Sequence, residues 1–129
     1  MIKEDRELLI KDLSARFPYG VKCTTKSMWN GIYTIVGYKD NRFFLDCPIY
    51  NEGDDEWMIE SIVPYLRPMS SMTEEEKEEF SMLAVGTHLF KGPLIPSYDT
   101  LDWLNAHHLD YRGLIEKGLA LEAPEGMYN

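Results

Sequence analysis

The residues with the most chemical potential stand together late in the chain: His107, His108 and Asp110, with Tyr111 and Arg112 beside them. Imidazoles and carboxylates are the groups that move protons near neutral pH and hold divalent metals. Their spacing argues against one shared ion, because neighbours on a helix point about 100° apart. Zinc patterns place histidines at i,i+4 or use paired cysteines. A structural assignment fits better. His108 sits at the negative end of one helix, Asp110 caps the next, and His107 is half-buried. The chain contains no nucleophile elbow, phosphate-binding loop, dinucleotide fingerprint or metalloprotease motif. Asp54-Asp55-Glu56 lacks the glycine and final glutamate of a calcium loop. No catalytic residue, metal ligand or cofactor is therefore assigned.

The remaining candidates are groups that recognise rather than react. Eight tyrosines and three tryptophans are many for 129 residues, and Tyr, Trp and Arg are the usual anchors of protein interfaces. Trp29 and Tyr50 lie in polar turn contexts and are expected to be exposed. Tyr65 and Arg67 belong to a stiff connector bounded by Pro64 and Pro68. Arg67, just ahead of an acidic helix, is expected to pair with a carboxylate. Cys23 and Cys47 read as small apolar residues inside a sheet, with no local base to activate a thiol.

Charge narrows the partners. The net charge is −9, and residues 51–82 alone carry −8. Such a chain repels phosphate backbones, so no direct nucleic-acid partner is expected. The acid at 52–56 and 74–79 instead offers a face to a basic protein, or to a DNA-binding protein that it would decoy. No apolar run reaches the roughly 18 residues of a membrane span, so no membrane partner is expected. The opening residues lack the apolar core of a secretion signal. With only two cysteines, the expected location is the cytoplasm.

The elements that must position these groups read in order. Leu9, Leu13 and Phe17 recur every four residues and predict a helix over 3–16, stopped by Pro18 and Gly20. Val21, Cys23 and Thr25 alternate with polar residues as in a strand with one solvated face. Residues 32–36 read as a well-buried strand. Lys39-Asp40-Asn41 turns into a strand at 42–47, and a further strand is expected at 57–60. Ile59 and Ile62 fit a single tight turn. Pro64 and Pro68 lack N–H donors and are expected to end the β region, because a central strand cannot run through them. Two capping boxes overlap, Ser71-x-x-Glu74 and Thr73-x-x-Glu76, and launch a helix to about Ala84 whose acidic turns face water. Residues 86–97 read as an irregular crossing packed on the body. A helix carrying Leu101, Trp103 and Leu104 fades at His107, and a short one over 111–117 ends at Gly118 with Leu119 folding back. The last eight residues read as frayed or loosely draped.

The sum is an α+β chain in a single domain. An N-terminal helix (1–18) precedes a small curled antiparallel sheet (19–68), for which an SH3-like barrel is the specific expectation. Helical segments (69–129) pack on it.

Two stretches, Tyr65 to Glu75 and Asp102 to Ala120, resemble segments of an uncharacterised family of small hypothetical proteins from gut Bacteroides-type bacteria and their phages or prophages. That family has no assigned activity, so no functional residue carries over. The resemblance implies a cytoplasmic protein of a prophage or mobile element. The expected function is non-catalytic: an accessory factor that binds another protein through an acidic or aromatic surface. The alternative is a small metal-binding protein or enzyme centred on His107, His108 and Asp110.

Overall fold

The computed structural model describes residues 1–26, 31–40, 42–46, 55–84 and 98–128, with the side chains of 55–57, 84 and 98 left aside. Trp29, Cys47, Tyr50 and the expected crossing at 86–97 lie outside the described residues.

The first helix, α1, spans Lys3–Arg16. Gly20, at φ 74°, ends the single 3-10 turn that follows it, the left-handed conformation glycine adopts without strain. Leu9 and Leu13 are fully buried. The same face also carries Asp12 and Arg16, both with 0% exposure. Positions 9, 12, 13 and 16 are the i, i+3, i+4, i+7 set of one helical stripe, so a carboxylate and a guanidinium enter the core beside the leucines.

Six strands follow: β1 (Lys22–Thr25), β2 (Tyr33–Lys39), β3 (Arg42–Leu45), β4 (Asp55–Met58), β5 (Ile62–Leu66) and β6 (Leu121–Glu122). They hydrogen-bond in the order β4-β3-β2-β1-β5-β6. The β2–β3 hairpin closes at the pair Lys39↔Arg42, with Asp40 at φ 53° supplying the left-handed turn residue. A bulge between Ile35 and Gly37 interrupts the β2–β3 register just past the residues of β2 that pair with β1. The strands β4 and β6 lie at opposite ends of the ladder. The described strands form an open sheet, not a closed SH3-like barrel.

Four other expectations are corrected. β2 is half-buried: Tyr33 and Ile35 point into the core, while Ile32 is 57% and Val36 43% exposed. In β1, Thr24 is buried with Cys23 and Thr25, because β1 lies between β2 and β5. β5 runs through Pro64, which pairs with Cys23. Its other neighbour, β6, starts only opposite Tyr65, so no strand on that side asks Pro64 for a donor. The sheet is mixed, because β6 from the C-terminal tail runs parallel to β5.

The core joins Leu9 and Leu13 of α1 to the inner face of the sheet and to Leu114, Leu119 and Ala120. Burial pushes the Cys23 thiol up to about 12, which leaves it an inert apolar side chain. Two helices complete the frame, α2 (Glu74–Ala84) and α3 (Tyr98–Ala106). The expected helix at 111–117 is a run of turns. Asp110 caps it as foreseen, its two oxygens accepting from the amides of Leu114 at 2.8 Å and Ile115 at 3.0 Å. Gly118, at φ 74°, closes it with Leu119 folded back onto the Leu114 carbonyl.

Arg16 reaches across this core. Its Nε donates to Asp12 at 2.8 Å and its Nη2 to the Leu109 carbonyl at 2.6 Å. Arg112 reaches the other oxygen of Asp12 at 3.3 Å. Desolvation raises the Asp12 pKa despite these cations. Asp12→Ala leaves the Arg16 charge buried without a counterion, which is expected to lower stability by about 3–5 kcal/mol. Urea unfolding measures it, and a midpoint unchanged from the parent protein contradicts the assignment.

Candidate functional site

A cleft of about 610 Å³ opens where β5, the start of α2, the end of α3 and the C-terminal tail meet. It brings together three of the residues singled out from sequence: Arg67, His107 and His108.

The connector after β5 positions Arg67. Its backbone N–H donates to the His108 carbonyl at 2.8 Å, and its carbonyl accepts from the Asp110 amide at 2.8 Å. This bridge ties the end of the sheet to the end of α3. The guanidinium forms a two-pronged pair with Glu76, Nη1 to Oε2 at 2.8 Å and Nη2 to Oε1 at 2.7 Å. It also donates to the carbonyls of Ser71 and His107. Glu76 is fixed in turn by the capping box. Its Oε1 accepts from the Thr73 amide, and the Thr73 hydroxyl accepts from the Glu76 amide. Of the two capping registers in the sequence, Thr73-x-x-Glu76 is the one formed. The Ser71 hydroxyl instead donates to the Pro68 carbonyl. The Arg67 hydrogen bond, the Thr73 amide and nearby positive charge hold the Glu76 carboxyl down at about 2. Glu76 thus turns inward, a correction to the expectation that the acidic turns all face water. Glu74, Glu75, Glu78 and Glu79 are exposed.

His107 is half-buried. Its Nδ1 lies 3.0 Å from Glu76 Oε2, and its ring packs on Trp103 with centroids 4.2 Å apart. Trp103 is anchored by its own N–H, donating to Glu79 at 3.0 Å.

His108 occupies a different niche. Its N–H donates to Asn105 and the next amide, Leu109, reaches back to Leu104. His108 is therefore the left-handed residue that ends α3, at φ 58°, where glycine is usual. It closes the helix through its backbone rather than as a cation. Its ring stacks on Tyr128, centroids 3.9 Å apart. Its Nδ1 is buried and has no hydrogen-bond partner. Burial, helped by the charges of Arg16, His107 and Arg67, brings its pKa down to about 4.

The tail, expected to fray or drape loosely, forms the remaining wall. The Ala123 amide donates to the Leu66 carbonyl. The Tyr128 hydroxyl accepts from the Lys22 amide at 2.7 Å and donates to the Tyr65 carbonyl at 2.7 Å. It thereby supplies a rung between β1 and β5, and burial raises its pKa. Glu122 and Glu125 stand exposed on this wall.

The candidates Asp110 and Tyr65 fall outside the cleft. The Asp110 carboxylate is taken by the amides after it, and Tyr65 lies half-buried on β5. The trio His107, His108 and Asp110 does not converge on one point. Sequence reasoning missed Glu122, Glu125 and Tyr128, whose placement depends on a two-residue parallel strand with no periodic signal. The role of Glu76 was within reach, because the Thr73 box fixes it in the first turn of α2. Among the described residues no cluster of three or more His, Cys, Asp or Glu is arranged to hold a metal ion, and no helix is long and apolar enough to cross a membrane. No protein-family model, curated protein or solved structure matches the chain.

The buried imidazole sets a pH dependence. The folded protein refuses a proton on His108 down to about pH 4, whereas the unfolded chain accepts one near 6.5. This contribution is full above pH 6.5 and is lost as pH falls toward 4. Glu76, held near 2, gives way only below its ordinary 4.5. Urea unfolding is expected to lose about 2–3 kcal/mol between these two limits. His108→Asn, which tolerates the left-handed backbone, is expected to remove most of that slope. An unchanged slope contradicts the neutral, buried assignment.

Proposed function

We propose that this chain is a non-catalytic protein-binding factor and that the cleft is its binding site. The observation that carries this reading is the charge of the cleft. Among the described residues the lining carries three carboxylates, Glu76, Glu122 and Glu125, and one guanidinium, that of Arg67, which is already committed to Glu76. A surface of this kind complements a basic segment of a partner and repels acidic ones. The wall is fixed in advance by the Arg67 bridge and the Tyr128 rung, so little ordering is needed on association. The resemblance to prophage-type proteins supports a cytoplasmic accessory factor of a mobile element.

A second reading rests on one observation. The Glu76–His107 pair is the arrangement by which a carboxylate orients an imidazole for proton transfer. A small molecule or metal ion retained through native mass spectrometry of chelator-free protein would favour that enzyme reading.

Site-specific photo-crosslinking in the native host tests the proposal. A photoreactive residue at position 125, on the cleft, is compared with one at 116, exposed and off it. Position 125 is expected to capture a discrete basic protein. That product is expected to fade in roughly 0.5 M salt, where charges are screened within about 4–5 Å. Equal capture at both positions, or capture indifferent to salt, contradicts the proposal.

A further inference from the structure

We infer that the cleft recognises a guanidinium group, presented by an arginine-bearing segment of the partner. The inference rests on the protein-binding reading above and names the side chain that the site selects.

The donors and acceptors of the cleft are unequal. Among the described residues Arg67 is its only cationic side chain apart from the histidines. Both terminal nitrogens of Arg67 are engaged, with Glu76 and with the carbonyls of Ser71 and His107. It has no spare fork for a phosphate or a carboxylate. The acceptors are in surplus. Glu122 and Glu125 are exposed on one wall, and among the described residues neither has a cationic partner.

A second observation is independent of the carboxylates. His108 is 6% exposed and lines the cleft. Its Nδ1 is buried and has no hydrogen-bond partner. In a neutral ring protonated on Nε2, this Nδ1 is a buried acceptor without a donor, an unmet demand for an N–H. Acidic wall and orphaned acceptor call for the same complement, a cation with several donors.

Guanidinium meets this better than ammonium. It carries five N–H donors in a plane, is weakly hydrated, and stacks on aromatic faces. The cleft presents such a face in His107, itself packed on Trp103. At about 610 Å³ the space admits a long side chain with flanking backbone, which suits a peptide segment rather than a free small cation.

The test titrates the full chain, labelled with 15N, with three capped pentapeptides. Their central residue, between glycines, is arginine, citrulline or glutamate. Citrulline keeps the shape of arginine and lacks its charge. The arginine peptide is expected to shift the amides of Arg67, His107, His108 and Ala123. The citrulline peptide is expected to bind about tenfold more weakly. The variant Glu122→Gln with Glu125→Gln, at two exposed sites that leave the fold intact, is expected to lose about tenfold in affinity for the arginine peptide. Equal affinity for arginine and citrulline overturns the guanidinium assignment. So does a cleft that prefers the glutamate peptide, although the protein-binding reading then survives. Shifts confined to other surfaces with all three peptides overturn both.

Discussion

The structure depends on a charge placed where charge is hardest to keep. Arg16 lies fully inside the protein, held by Asp12 one turn earlier on α1 and by the carbonyl of Leu109. Removing an ion pair from water carries a desolvation penalty of several kcal/mol per ion, which these hydrogen bonds offset although the Nη1 of Arg16 is left without a partner. Tyr111 adds its ring, 5.2 Å from the Arg16 guanidinium and 4.8 Å from that of Arg112. The pair contributes less to net stability than to placement. It pins the end of α3 against α1, and everything that forms the cleft is hung from that end.

The connection is short. Leu109 takes the Arg16 bond on its carbonyl, and the residues on either side of it exchange hydrogen bonds with Arg67. Arg67 then fixes Glu76, and Glu76 meets His107. A sheet edge, two helix ends and a tail are thus locked into one polar wall without a metal or a disulfide among the described residues. The wall uses its cations internally and leaves acceptors facing outward. That imbalance is the physical basis for assigning a basic partner.

Features set by nearby residues were legible in the sequence. The bounds of α1, the Thr73–Glu76 box, the turn at Asp40 and the left-handed Gly118 follow from spacings of a few positions. Features set by distant partners were not. Arg16 binds a carbonyl 93 residues away, and Tyr128 an amide 106 residues away. Asp12 and Arg16 fall on the leucine stripe, which signals burial, but only the fold reveals the acceptor that makes it tolerable. His107 and His108 drew notice as a pair, yet helix geometry separates them. One meets a carboxylate, and the other stacks on a tail that composition alone presents as loose.

The central claim is that the cleft presents acceptors, with the buried His108 neutral and its Nδ1 bare. Long-range 15N–1H correlation spectra of the imidazole rings at pH 7 test it most directly. The account predicts a neutral His108 ring carrying its proton on Nε2, which leaves the unpartnered Nδ1 as an acceptor. A ring protonated on Nδ1, or on both nitrogens, would turn the inner wall into a donor and contradict the account.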